Sequence, residues 1–255
     1  MKTVSLALLL ICSITASCSA QQAGQPPSLR VLSSNGPRAP LEDVQMQIEA
    51  AIGYSLDIEF STSVSLTNRI EAGESFDVAI LTPALIERLV AGSHVAAEPV
   101  PVFARSGVGI GAASSNVARD VSTMDAMRAT LLAAESVTLT ADGQSRRVSE
   151  AAFETLGIVE QMARKIVLVG PGEGPHVVAR GEAELVLTLI SEIVPVEGLE
   201  LVGPFPAELQ DYVSFAAGIS NASTQTAAAR QLLEQLTSPA MMRALEPHGM
   251  EALTR

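Results

Sequence analysis

Hydroxyl and amide side chains recur at three places where an apolar, strand-like segment passes into a segment with helical spacing. These loops are Ser33-Ser34-Asn35-Gly36, Ser61-Thr62-Ser63 and Asp142-Gly143-Gln144-Ser145. The first turn of a helix offers unsatisfied N–H groups and a partial positive charge, so neutral donors placed there can bind one small anion. The same residue types are the preferred helix N-caps, and capping alone explains any single loop.

Two of these loops are followed by arginines. Arg38 comes after the first loop, and Arg146 and Arg147 come after the third. A guanidinium group recognises carboxylates and phosphonates bidentately, so an arginine in the site would favour a larger organic anion. Alternatively, Arg146 and Arg147 are solvated or pair with nearby acids. Arg38 has no acid in its own loop, which favours a role in binding.

Motifs for catalysis are weak or absent in the sequence. The segment 169–174, VGPGEG, follows a strand as a dinucleotide loop would, but Pro175 occupies the last glycine position and Glu173 would repel a pyrophosphate. No GxSxG elbow and no P-loop occurs, and the three histidines lack HExxH spacing. We therefore expect a binding protein rather than an enzyme, without cofactor or resident metal. His176 could contact a ligand, because it lies close to this loop.

The elements that would position these loops alternate between strands and helices. This order predicts an α/β fold with a mostly parallel sheet and helices on both faces. Such sheets bind ligands at the carboxyl ends of their strands, where the three loops fall. After the segment VGPGEG, the spacing predicts a short helix over Val177–Arg180 and a strand over Leu185–Leu187.

Composition excludes several classes of protein. Hydrophobic residues make up 47% of the 255 residues, which is enough apolar material for a buried core and excludes a disordered chain. The formal net charge is −12, and only 3% of residues are aromatic. A general nucleic-acid surface needs a basic patch, so this balance disfavours one.

The first 20 residues, MKTVSLALLLICSITASCSA, have the pattern of a secretory signal peptide. Two cleavage sites are consistent with it. One lies after Ala20, and the other makes Cys18 the lipid-tethered first residue of the mature chain. Both cysteines lie in this segment, so we expect a secreted or periplasmic body without disulfide or thiolate.

Longer segments resemble a known family. LRVLSSNGPRAPLEDV, FSTSVSLTNRIEAGESFDVAIL and VARGEAELVLTLISEIVPVEGLELVGPFPAELQ are similar to the periplasmic molybdate-binding proteins of ABC importers, and the resemblance spans nearly all of residues 29–250. It implies a two-lobe type II periplasmic binding protein fold with a cleft between the lobes. Lobe one would contain residues 29–104 and 213–255, lobe two residues 105–212, and strands would cross near Arg105 and Asp211–Val213.

The resemblance also implies which residues bind the ligand, because this family holds its oxyanion with hydroxyls and helix-start amides. It places a binding serine at Ser63, with Thr62 beside it. The first-loop serine falls at Gly36, so Ser33, Ser34 or Asn35 would substitute for it. Further contacts fall at Ser145, next to Arg146, and within Gly172–Pro175, which includes Gly174. The binding tyrosine of the family corresponds to Leu189.

The expected function follows from the resemblance. The protein would be a monomeric, secreted solute-binding protein that captures a tetrahedral oxyanion, first molybdate or tungstate, and delivers it to the membrane permease of an ABC importer. Sulfate or a small organic acid is the alternative ligand. An envelope enzyme or a ligand-free interaction protein is the alternative class.

Overall fold

The computed structural model describes residues 27–97, 101–114 and 119–253. The expected signal peptide, residues 1–20, and the candidate lipid site Cys18 lie outside the described residues. Within the part of the chain that is described, no helix is both long and apolar enough to span a bilayer.

Strands and helices alternate along most of the chain. The strands are β1 (Ser28–Ser34), β2 (Ser55–Ser61), β3 (Val78–Leu81), β4 (Val102–Ala113), β5 (Val137–Thr140), β6 (Ile166–Val169), β7 (Leu185–Leu189), β8 (Leu199–Pro204), β9 (Tyr212–Ile219) and β10 (Met250–Ala252). The helices are α1 (Arg38–Ile52), α2 (Ser63–Glu71), α3 (Pro83–Ala91), α4 (Met124–Ala133), α5 (Gln144–Thr155), α6 (Val159–Ala163), α7 (Glu173–Ala179), α8 (Ile190–Ile193), α9 (Thr226–Gln235) and α10 (Pro239–Leu245), followed by a 3₁₀ turn (Glu246–His248).

The first sheet is built around β1, which pairs in parallel with β2 and β3. Strand β3 then pairs antiparallel with β9, and β9 with the first half of β4. All four residues of β3 are apolar and buried, as expected for an inner strand covered on both faces. Helix α1 buries Leu41, Val44, Ile48 and Ile52, whose spacing places them on one face of the helix.

The second sheet is built around β5, which pairs in parallel with β6 and β7. The second half of β4 pairs antiparallel with β7 and β8. Strand β4 therefore belongs to both sheets, with residues 102–107 in the first and 108–113 in the second.

The chain returns to the first sheet through residues 205–211, and Gln210 fixes this crossing. Its Oε1 accepts a hydrogen bond from the Val108 N–H, and its Nε2 donates to the Val108 carbonyl, each at 2.9 Å. Two sheets joined by two crossing segments give two lobes with a cleft between them. The predicted two-lobe α/β fold is confirmed.

The prediction of a mostly parallel sheet was wrong around the crossings. Strands β4 and β9 carry the chain between the lobes in opposite directions, and every strand that pairs with either one is antiparallel to it. Four short elements were not predicted, namely α6, α8, β8 and β10. In addition, α7 begins at Glu173, four residues before the predicted start, and β7 extends to Leu189.

Candidate functional site

The carboxyl ends of four strands meet where the two lobes face each other. Strands β1 and β2 end there in the first lobe, and β5 and β7 end there in the second. Between them lies a small hollow of about 20 Å³, hereafter the central hollow. It is lined by Ser34, Asn35, Thr62 and Ser63 from the first lobe, by Thr140, Gly143, Gln144, Ser145, Leu189 and Glu192 from the second, and by Val213 of β9.

On the side of the first lobe, the start of α2 presents two hydroxyls. Thr62 is the N-cap, and its Oγ1 accepts a hydrogen bond from the Ser65 N–H at 3.1 Å. Ser63 follows it and is 3% exposed. The Ser63 Oγ has no hydrogen-bond partner among the described residues. A buried hydroxyl without a partner costs about 1–3 kcal/mol, so this atom is placed to bond a ligand.

On the side of the second lobe, α5 begins without a side-chain cap, because Gly143 is its N-cap residue. The N–H groups of its first turn have no acceptor within the helix and carry the positive end of the helix dipole. The Ser145 side chain lies buried in this turn, 3.5 Å from the Thr188 hydroxyl of β7. Two helix N-termini therefore meet at the central hollow, one from each lobe.

Two carboxyl groups accompany these donors. Asp142 Oδ2 accepts a hydrogen bond from Thr62 Oγ1 at 2.8 Å, and this bond joins the two lobes. Glu192 Oε2 accepts one from Thr188 Oγ1 at 2.5 Å. The Glu192 residue is half-buried, because a second cavity opens beside it, but protein surrounds its carboxyl group. Burial raises the pKa of Glu192, and the bond from Thr188 only partly opposes this.

A larger cavity of about 230 Å³, hereafter the side cavity, adjoins the central hollow. Asn35 and Glu192 line both. The side cavity is also lined by Arg38, Glu42, His176 and Ser191. Ser191 is 2% exposed, and its Oγ has no hydrogen-bond partner among the described residues.

An open cavity of about 580 Å³ lies on the other side of the central hollow. Gln144 and Val213 line both. Arg147 and the start of α3 at Thr82 also line the open cavity. The cleft is therefore continuous, with the narrow central hollow between two wider spaces.

The structure brings together five of the predicted site residues at the central hollow: Ser34, Asn35, Thr62, Ser63 and Ser145. Arg38 lines the side cavity instead. It is not free of acids, because its Nε donates to Glu42 Oε1 at 2.8 Å, and its guanidinium lies 5.1 Å from the centroid of the Phe60 ring. Glu42 is four residues further along α1, one helical turn away, and the loop sequence alone did not show this pairing.

The other four predicted residues line neither the central hollow nor the side cavity. The Ser33 hydroxyl donates to the Ser34 carbonyl at 3.0 Å within β1. Arg146 donates to Glu150 and to the Ala141 carbonyl, each at 2.7 Å. Gly174 is packed beneath β7, and a Cβ added there would lie 3.1 Å from Val186.

Gly36 is the fourth of these residues and has a packing role. A Cβ on Gly36 would lie 2.2 Å from Cζ of Phe215, a buried residue of β9. No side chain fits there, so the position that the resemblance assigned to a binding serine cannot supply a hydroxyl. Within the first loop, the residues that can donate to a ligand in the hollow are therefore Ser34 and Asn35.

Sequence reasoning missed Glu192 and Ser191. Both lie on α8, a helix of four residues that was not predicted. The available signal was a polar pair, Ser191-Glu192, one residue after the apolar strand β7, but the predicted strand ended two residues too early. Elsewhere in the described residues, no three His, Cys, Asp or Glu side chains come together as metal ligands would.

Comparison with known proteins now places the chain. Residues 29–251 match the family of bacterial extracellular solute-binding proteins. The chain belongs to this family.

Individual relatives differ in what they are named for. The aconitate isomerase of a Pseudomonas species is 29% identical over 235 residues, which cover 90% of each chain. The Azotobacter vinelandii periplasmic molybdate-binding protein has a TM-score of 0.73 at 14% identity, over 89% of this chain and 99% of that one. The sulfate-binding protein SubI from Mycobacterium tuberculosis has a TM-score of 0.72 at 14% identity, over 89% and 87%. The two solved structures show a shared fold.

Proposed function

We propose that this solute-binding protein captures a small anion in the central hollow and presents it to the membrane permease of an ABC importer. The observation that carries the proposal is the Ser63 hydroxyl, which is buried without a partner at the start of α2 and faces the hollow opposite the uncapped start of α5. In this proposal the protein is a secreted or periplasmic monomer that binds without turnover, and Cys18 is a candidate site for a lipid tether.

Neutral donors are sufficient to hold such an anion. A hydrogen bond to a charged group contributes roughly 1.5–3 kcal/mol, and a helix N-terminus about 0.3–2 kcal/mol. Several such donors offset the desolvation of the anion and the closing of the lobes. A net binding free energy near −8 kcal/mol, which corresponds to about micromolar affinity, is consistent with this set.

Two ligand classes fit different parts of the cleft. Molybdate or tungstate is supported by the hydroxyl and amide character of the central hollow, which contains no arginine. A small organic acid is supported by the adjoining side cavity, which gives room for a carbon chain next to the hollow. Asp142 beside the hollow opposes a compact dianion, so we place the organic acid first and molybdate second.

Titration calorimetry tests the proposal with molybdate, sulfate and a panel of short organic acids. We expect Ser63→Ala to weaken binding of any anion in the hollow by about 1.5–3 kcal/mol, which is roughly 10- to 100-fold. Ser65→Ala is the matched control, because Ser65 lies on the same helix turn but does not line the hollow. Equal affinities for wild type and Ser63→Ala would contradict the proposed binding site.

A second candidate function is isomerisation of a bound organic acid. It is favoured by Glu192, a carboxyl group of raised pKa at the hollow, and by the similarity to a protein named aconitate isomerase. A single such carboxylate can accept a proton from one carbon and return it to another, so the proton balances within the step. Proton NMR of aconitate incubated with the protein separates this candidate from binding alone.

A further inference from the structure

We infer that the side cavity is a second ligand subsite and that the ligand is an organic anion with two acid groups, one held in the central hollow and the other in the side cavity. This inference rests on the proposed function and specifies its ligand class. It requires that both spaces be connected and that the side cavity contain donors available to an acid group.

The two spaces are connected through shared side chains. Asn35 and Glu192 line both the central hollow and the side cavity. Gly172 lies beside this shared lining, where a Cβ would lie 3.3 Å from the Asn35 Nδ2. Its φ of +75° is in the left-handed region that favours glycine.

The side cavity contains a donor that the protein itself does not use. Ser191 is 2% exposed, and its Oγ has no hydrogen-bond partner among the described residues. Its own N–H is occupied, because it donates to Ser106 Oγ at 3.3 Å. A ligand group that enters the cavity would give this hydroxyl a partner. Ser63 shows the same condition in the central hollow, so one unused hydroxyl lies in each space.

Further donors for an acid group line the side cavity, where the charges of Arg38 and Glu42 offset each other. Arg38 lines it, and although Glu42 accepts from its Nε, the guanidinium has further N–H donors. His176 lines the same space and supplies another ring nitrogen. Arginine recognises carboxylates bidentately, which an inorganic oxyanion in the central hollow would not exploit.

Glu192 lines both spaces and therefore lies next to both proposed acid groups. Burial raises the pKa of Glu192, so its carboxyl group stays protonated to a higher pH than the carboxyl group of an exposed glutamate. A neutral carboxyl can donate a hydrogen bond to an anion, whereas a charged one would repel it. The side cavity of about 230 Å³ admits a chain of a few carbon atoms but is below the usual size of a drug-like site.

The experiment compares matched acids by titration calorimetry: butyrate with succinate, and propionate with malonate, together with glutarate, tricarballylate, sulfate and molybdate. We expect at least one acid with two or more carboxylates to bind about tenfold or more tightly than its monocarboxylate partner. Ser191→Ala should remove most of this preference and leave the affinity for the monocarboxylate or for sulfate unchanged.

A second variant protects the result against misfolding. Arg38→Gln is at a half-exposed surface position and should also reduce the preference, whereas Arg88→Gln should not, because Arg88 pairs with Glu71 at a similar exposure outside the cleft. Monocarboxylates and diacids of equal affinity, or a preference that survives both cavity variants, overturn the inference. If molybdate or sulfate binds through Ser63 while no diacid is preferred, only the inference fails. If no anion binds at all, the proposed function fails with it.

Discussion

Ser63 and Ser191 are the residues on which the assignment of the cleft depends most. Each hydroxyl is buried, each lacks a hydrogen-bond partner among the described residues, and each lines a different part of one continuous space. A ligand with polar atoms in both spaces, as proposed above, would give both hydroxyls a partner. Glu192, between them, has a consequence for stability that can be measured without knowing the ligand.

Glu192→Gln should change how stability depends on pH. The folded-state pKa of Glu192 lies above its ordinary value of 4.5, so the folded protein holds this proton when the unfolded chain has released it. The free energy of unfolding of the wild type therefore falls as pH rises from about 4.5 towards the raised pKa. The variant lacks this loss and should be the more stable protein at neutral pH.

Urea unfolding of both proteins between pH 4 and 8 measures this effect. The difference between wild type and variant isolates Glu192 from Arg38, Glu42 and His176, which line the same cavity and are present in both proteins. A difference in unfolding free energy that stays constant across the range would show that Glu192 has an ordinary pKa.

Residue types marked a hydroxyl loop before α2, and the family resemblance singled out Ser63 within it, but neither showed the partner of Arg38 or the position of Glu192. The signal for Ser63 is local, because a hydroxyl pair lies between a strand and a helix. The partner of Arg38 becomes visible only once α1 is known to begin at Arg38, which places Glu42 one turn away. Glu192 depends on where β7 ends, and its four-residue helix is too short to give a periodic pattern.

Helix α2 must be fixed firmly for Ser63 to face the hollow, and an ion-pair network does this at its other end. Arg69 of α2 pairs with Glu74 through Nε and with Glu59 of β2 through Nη1, each at 2.6 Å. Arg30 of β1 pairs with Glu59 at 2.7 Å and with Glu74 at 3.0 Å. The network therefore ties α2 to the first two strands of the sheet.

Glu74→Gln should destabilise the protein by about 0.5–1 kcal/mol at neutral pH, because the network is only partly buried. The pKa of Glu74 is lowered, first by its hydrogen bond with Arg69, so its contribution is present above the ordinary value of 4.5 and is lost as pH falls below it. Thermal or urea unfolding at pH 7 and pH 3 measures the change.

Glu182→Gln is the matched control for the Glu74→Gln variant. Glu182 also pairs with an arginine, Arg180, but both are exposed and lie two residues apart, so the pair joins no two elements. We expect Glu182→Gln to leave the stability nearly unchanged, because an exposed ion pair contributes little. A Glu74→Gln protein as stable as the control at pH 7 would show that the network does not hold α2.

At the scale of the whole molecule, two lobes were predictable because the resemblance spans both, whereas their exact arrangement was not. Antiparallel pairing around β4 and β9 depends on contacts between residues far apart in the chain, and strand patterns alone do not reveal pairing direction. The same is true of the hydrogen bond between Thr62 and Asp142, which are 80 residues apart and belong to different lobes.

This bond joins the two lobes, so removing it should shift the ligand-free protein towards an open form. Thr62 Oγ1 donates to the Asp142 carboxylate at 2.8 Å, and a hydrogen bond to a charged group contributes roughly 1.5–3 kcal/mol. Asp142→Ala should therefore change the ratio of closed to open molecules by about tenfold or more, provided that the open form is close in free energy. Small-angle X-ray scattering would detect this as a larger radius of gyration, and an anion that contacts both lobes should reverse it.

Glu150→Ala is the matched control, because Glu150 pairs with Arg146 on the same helix, within one lobe. If Asp142→Ala and Glu150→Ala scatter alike without ligand, the Thr62–Asp142 bond does not hold the lobes together.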